Sequence, residues 1–338
     1  MEKYDVIIAG ASFAGLAVAS RLKGNILLLD KKDTGDNVTS ACGSIAKFIE
    51  SIGCEKSILQ TFDAAALHTK NKVHNIPLTD QFCTIDYSIF CNEFFKQSDV
   101  EFRKENVKGI ENGLVKTDKS QYKAKVYVDC LGWSAVLASS VKKGFVDKET
   151  LSVCVETEVP YQDDKLRFFI DENIVENGTA WLFPAGKNSR FGVGSYGKNS
   201  KLMQSLKNFV NSYGLSLNST HGNYVPYYFR KPIVENIFVV GDAVGNVLPL
   251  TAEGIRPTIR AGIYCGDIIQ KIVENEMSLE EGSEKYSNFC LKNRRYYDIL
   301  LKVQRRMIKP SNFTVNIVFK LLSYKPIAKF GLRVYEKF

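Results

Sequence analysis

The chain has 338 residues, 45% of them hydrophobic and 24% charged, which excludes a disordered or fibrous class and gives length enough for two domains. No run of about 18 apolar residues occurs, and acidic Glu2 and Asp5 lie at the first apolar stretch, so the sequence predicts neither a transmembrane helix nor a cleaved leader and points to a cytoplasmic protein. Of the net charge of +8, residues 291–338 carry +10, with twelve Lys and Arg against Asp298 and Glu336, and the rest of the chain carries −2.

The N-terminal stretch YDVIIAGASFAGLAVASRLKGNILLLDKK runs from an apolar strand through a small-residue turn into an amphipathic helix and a second apolar strand. Its turn reads Gly10-Ala11-Ser12-x-Ala14-Gly15, a dinucleotide fingerprint with serine as the middle small residue. Gly10 permits the tight turn, Ser12 still allows backbone near a pyrophosphate, and Gly15 lets the helix pack on the strand. The helix start would then direct free N–H groups and the positive dipole end at phosphates. Asp30, followed by Lys31, ends the second strand twenty residues after Gly10, where a carboxylate can accept hydrogen bonds from an adenosine ribose. A nucleophile elbow G-x-S-x-G is excluded because glycine follows Ser12 at plus three.

Eight cysteines (42, 54, 83, 91, 130, 154, 265, 290) include no C-x-x-C pair and no histidine at ligand spacing, so neither zinc nor an iron–sulfur cluster is indicated and buried thiols are expected. Residues 151–231 read as antiparallel strands and turns with one helix near 201–214. Residues 236–273, NIFVVGDAVGNVLPLTAEGIRPTIRAGIYCGDIIQKIV, give a second apolar strand running into Gly241-Asp242, then a loop and a long helix opening at Gly254-Ile255. Residues 279–338 read as helical; the mixture of Phe, Ile, Leu and Tyr with lysine there suits either a helix packed on the body or a surface for anionic lipid headgroups. No recognition motif accompanies the basic charge, so nucleic acid is not expected.

With both the Gly10–Gly15 turn and the Gly241-Asp242 segment present, the chain resembles the flavoproteins that include p-hydroxybenzoate hydroxylase-like monooxygenases and, more closely, the geranylgeranyl reductases. The resemblance extends to about residue 275 and implies an archaeal source, FAD as cofactor and no metal. It implies that Asp242 holds the flavin ribityl chain and that Gly254 and Ile255 face the isoalloxazine ring. It assigns Asp129 and Gly132 of VDCLGWSAVLA to a third flavin-associated stretch, Cys42-Gly43 to a position near the flavin, and Val107 to the adenine side. Tyr87 stands where the family has an arginine for the pyrophosphate.

The fold class implied is α/β: a Rossmann-type FAD-binding domain from 1–68, 84–150 and 232–275, an antiparallel-sheet substrate domain from 69–83 and 151–231, and a basic helical segment 276–338. On the substrate domain, TAWLFPAGKNSRFGVG matches the reductases' aromatic-x-Trp-x-Phe-Pro and Gly-x-Gly signature through Trp181, Phe183, Pro184, Gly192 and Gly194, with Thr179 replacing the first aromatic. The activity implied is saturation of C=C bonds in polyprenyl lipids by hydride from reduced flavin N5. The electron donor is NAD(P)H or a ferredoxin-like protein, since no second nucleotide fingerprint is present. No single proton donor can be named from the sequence; Glu253, next to Gly254 and by the resemblance near the flavin, is the candidate, with a plain loop role as the competing reading. An aromatic monooxygenase on the same fold and a flavin electron-transfer or membrane-docking protein are the alternative functions.

Overall fold

The computed structural model describes residues 2–38, 40–196 and 201–307, together with Ile317 and Lys320. They fall into two compact units.

The first unit comprises Met1–Asn37, Ser88–Thr150 and Pro226–Leu301. Its sheet runs in the order 233–234, 237–239, 121–129, 3–9, 26–30, 101–104, parallel along this path except at the short 233–234 strand, and 114–117 adds antiparallel to 121–129 with 107–111 antiparallel beyond it. Strand Lys3–Ala9 is central and buried on both faces, which is why its sequence is a continuous apolar run instead of an alternation. Successive strands move to opposite sides of it, 26–30 to one and 121–129 to the other. The turn after it therefore lies at a switch point, where ligands of open α/β sheets bind.

Helix Phe13–Ala19 packs on helix Ile255–Val273 at van der Waals contact of the two backbones. A Cβ on Gly262 would stand 2.6 Å from Ala17 Cβ, and one on Gly266 would stand 2.7 Å from Val18 O. Glycines one turn apart thus bring together the helix after the first strand and the helix after the last. Helix Leu279–Lys292, capped by the Ser278 hydroxyl accepting from the Glu281 N–H, lies against Ile268 and Ile272 of the same long helix through Gly282. Helix Arg294–Met307 follows, in agreement with a helical C-terminal region. The expected continuation of that segment from 308 lies outside the described residues, Ile317 and Lys320 excepted.

The second unit is built from Val38–Tyr87, Leu151–Val225 and the segment from Lys302, described to Met307. Its sheet runs 220–226, 151–159, 188–195, 178–185, 166–170, 58–69, 73–85, 43–45, antiparallel throughout except where 166–170 meets 58–69. Helix Leu202–Asn211 covers one face, burying Leu202, Leu206, Phe209 and Val210 against Phe169, Ala180, Leu182, Phe191 and Val193.

Residues 38–68 differ from the sequence expectation, which grouped them with the flavin domain. Strand Ile58–Thr69 forms a long hairpin with Val73–Ile85, and Gly43–Ile45 extends the same sheet, so their backbone hydrogen bonds go to the second unit. The hairpin partner is local, but the strand that joins it to the rest of the sheet, 166–170, lies about a hundred residues away. Among the described residues no helix is long and apolar enough to cross a membrane.

Candidate functional site

In the first unit, four of the stretches singled out in the sequence come together. Gly10 has φ +106°, and a Cβ on it would lie 2.3 Å from the carbonyl oxygen of Cys130, so the turn presses directly on the 129–132 stretch. Gly15 is equally constrained, since its Cβ would sit 1.7 Å from Gly10 O. Gly241, at φ +70°, would place a Cβ 3.0 Å from Ala14 Cβ, and a Cβ on Gly254 would stand 3.7 Å from Asp242 Oδ1. The fingerprint turn, Asp129–Gly132, Gly241-Asp242 and the start of the long helix at Gly254-Ile255 therefore form one neighbourhood.

The acids within it have different tasks. Asp30 Oδ2 accepts the Ala11 N–H at 2.7 Å and Oδ1 accepts the Lys32 N–H at 3.2 Å, so the carboxylate holds the fingerprint turn itself. Asp129 is fully buried, and its oxygens accept from Leu131 N at 3.1 Å and Ala138 N at 2.9 Å; burial nevertheless pushes its carboxyl up to about 6. Its observed work is to fix the turn around Gly132, which has φ +68° and open space where a Cβ would be.

Asp242 is the exception. Burial raises its carboxyl to about 6 despite the nearby Arg230 guanidinium, and the side chain accepts no hydrogen bond from the described residues. The buried Thr258 hydroxyl, 3.5 Å from where a Gly241 Cβ would be, likewise has no hydrogen-bond partner among the described residues. A buried hydroxyl without a partner, beside a half-buried carboxylate and a glycine cradle, suits a polyhydroxylated ligand, since buried polar groups are ordinarily satisfied. On that ground the residues fit the ribityl portion of FAD.

Glu253 is engaged elsewhere. Both its oxygens meet the Arg256 guanidinium, at 2.5 and 2.8 Å, and both side chains are buried. This bidentate pair accounts for the residue as a structural carboxylate of the loop. Lys31 is exposed, while Tyr87 and Val107 are buried at the start of helix Tyr87–Phe95 and strand Val107–Glu111.

Sequence reasoning missed Arg230, whose Nη1 donates to Trp133 O at 2.8 Å and Ala243 O at 3.0 Å and so ties the stretch at Gly132 to the Gly241-Asp242 loop. No local pattern marks it, because its partners are backbone carbonyls.

In the second unit, Trp181 and Phe183 lie on the sheet face opposite helix 202–211. They belong to an apolar cluster with Phe62, Ala65 and Leu166, against which Phe82 and Phe168 pack. Phe183 meets Phe168 edge-on at 5.1 Å and Phe82 at 6.1 Å. The two glycines of the signature belong to Trp181: the hairpin pairs Trp181 with Gly192 and Thr179 with Gly194. A Cβ on Gly192 would be 2.1 Å from the indole, and one on Gly194 would be 3.5 Å from it. Pro184 carries a carbonyl that accepts the Thr84 hydroxyl at 2.6 Å.

Cys42 and Gly43 sit in this unit. The Cys42 thiol is fully buried and pushed up to about 12 by desolvation, which makes it a poor nucleophile. Gly43 is required because the Phe82 ring lies 2.6 Å from the site of its missing Cβ. Arg190, also missed, grips this loop by donating to Ala41 O and Ile85 O at 3.1 Å each while pairing with Glu158. All eight cysteines are free thiols.

No protein-family model matches the chain. It is 25% identical, over 99% of its length and 96% of the relative's, to the digeranylgeranylglycerophospholipid reductase of the archaeon Methanococcus vannielii. A solved geranylgeranyl bacteriochlorophyll reductase-like protein of Thermoplasma acidophilum superposes with a TM-score of 0.85 at 17% identity, covering 96% of this chain and 92% of that one. PqsL, a probable FAD-dependent monooxygenase of Pseudomonas aeruginosa, gives 0.69 at 12% identity over 91% and 97% of the two chains. The chain thus has the p-hydroxybenzoate hydroxylase-like flavoprotein fold, and along nearly its whole length it is similar to an archaeal geranylgeranyl-type reductase, as its motifs imply.

Proposed function

We propose that this protein is an FAD-dependent oxidoreductase that saturates C=C bonds in the geranylgeranyl-type chains of isoprenoid lipids. The observation that carries the reading is the Trp181 indole laid over Gly192 within an aromatic sheet face, on a chain similar end to end to a digeranylgeranylglycerophospholipid reductase. A polyprenyl chain offers apolar area and nothing to hydrogen-bond, and burying it is worth about 25 cal/mol per Å². An aromatic wall supplies that area in rigid form.

The Gly10–Gly15 turn, braced by Asp30, would receive the pyrophosphate, with Asp242 and Thr258 at the ribityl hydroxyls and Gly254 and Ile255 at the ring. Bound and reduced, FAD supplies the hydride for one alkene carbon, the neighbouring carbon taking a proton. An isolated alkene develops little charge for the protein to stabilise early, so the work of this chain's residues is orientation. Phe82, Phe168, Trp181 and Phe183 would hold the chain, and their apolar surface would exclude water. The reductant is a nicotinamide or a small electron-transfer protein, and the basic C-terminal helix would meet anionic headgroups.

The test is anaerobic incubation of dithionite-reduced holoprotein with a geranylgeranyl lipid, read by mass spectrometry. The expected result is stepwise gain of two hydrogens per double bond; a lipid recovered at its starting mass overturns the proposal.

A further inference from the structure

Glu156, Gly192, Trp181 and Phe168 form a single cross-strand row over four neighbouring strands. Residues opposite one another in a sheet share a face, so all four belong to the face that carries the aromatic cluster. Within that row a carboxylate is out of place by composition: Glu156 is only 3% exposed. A buried charge is retained only where something compensates it. Here the compensation is the indole. Trp181 Nε1 donates to Glu156 Oε2 at 2.6 Å, across the gap left by the missing side chain of Gly192.

The second oxygen makes no hydrogen bond among the described residues; His221 Nε2, from the edge strand Thr220–Pro226, stands 3.4 Å from it. The next carboxylate along the strand, Glu158, is taken by Arg190. The hydrogen-bonded partner of Glu158 is thus a cation, whereas that of Glu156 is an aromatic ring, which meets one of its two oxygens. An indole has one donor, and hydrogen-bonding it to the Glu156 carboxyl group fixes both its position and its plane. With one side of the ring against Gly192 and Gly194, that plane sets the relief of the apolar face.

We infer that Glu156 is a positioning residue that fixes the Trp181 indole flat on the Gly192–Gly194 strand and thereby shapes the prenyl-binding face. The inference rests on the reading of Trp181 as part of that face.

The chain has two tryptophans, Trp133 and Trp181, so indole N–H resonances of the full-length holoprotein report on the contact directly, with Trp133→Phe giving the assignment. The wild-type Trp181 N–H is expected downfield and slow to exchange. In Glu156→Leu it moves upfield and exchanges about tenfold faster, as loss of a charge-assisted hydrogen bond requires, and Glu156→Gln falls between. The KM for a geranylgeranyl lipid rises in the same order, Leu above Gln, with FAD content unchanged. Should Glu156→Leu not fold, Glu156→Gln decides by the same readings. A Trp181 resonance unaltered by the substitution overturns the inference, as does an altered resonance with KM and product distribution at wild-type values. If the resonance moves as expected but wild-type protein reduces no prenyl lipid, the assigned activity fails while the anchoring of the indole stands.

Discussion

The Trp181 indole lies across Gly192, its cross-strand partner, so closely that a β-carbon on Gly192 would stand 2.1 Å from the ring. The neighbouring Gly194 differs, with the indole 3.5 Å from its missing Cβ, an ordinary contact. Gly192→Ala is therefore expected to force the indole out of place, destabilising the protein by about 1–3 kcal/mol and cutting prenyl turnover, whereas Gly194→Ala stays near wild type. Urea denaturation and turnover of the two variants side by side check this; equal effects would contradict it.

Asp242 gives a test in which stability and cofactor binding move in opposite directions. Its folded-state carboxyl titrates at about 6, above the ordinary 3.8, so burial favours the protonated form. The stability linked to that proton is fully present below pH 3.8 and lost as pH rises through 6. Asp242→Asn is expected to stabilise the apoprotein by about 1–3 kcal/mol at pH 8, an advantage that fades towards pH 4, while weakening FAD binding. Urea midpoints across this pH range and an FAD titration provide the measurement.

Asp30 predicts a loss that does not depend on any ribose contact. Removing its carboxylate leaves the Ala11 N–H of the fingerprint turn without its acceptor. A hydrogen bond to a charged group contributes about 1.5–3 kcal/mol, so Asp30→Leu should lower FAD affinity by about ten- to a hundredfold. Flavin fluorescence titration reads the change.

Thr179 stands opposite Gly194 where the reductase signature has an aromatic residue, and its side chain hydrogen-bonds that of Tyr196. Thr179→Tyr adds a ring to the same face as Trp181 and is expected to narrow it, shifting the product distribution towards fewer saturated bonds. An unchanged distribution by mass spectrometry argues against a wider face.

The basic helix Arg294–Met307 interleaves its charges with exposed Tyr296, Ile299 and Val303. Each basic residue near an anionic membrane contributes about 1 kcal/mol. Replacing Lys302, Arg305 and Arg306 by Gln should reduce sedimentation with phosphatidylserine vesicles by at least about tenfold; undiminished binding would leave the charge as a solvated face.

What the sequence by itself determined lies within short spans. Gly10, Ser12 and Gly15 act within one turn, and Trp181, Gly192 and Gly194 within one hairpin, so spacing alone encodes their geometry. Tertiary structure decided the rest, because it depends on partners far away in the chain. Residues 38–68 joined the second sheet through a strand at 166–170. Asp129 turned inward to hold its own loop, and Glu253 was taken by Arg256. Arg190 and Arg230 bind carbonyls about a hundred or more residues away, and carbonyls leave no trace in residue type. Glu156 reads as one more charge in an alternating strand; only the folded sheet sets it at the end of the Trp181 indole.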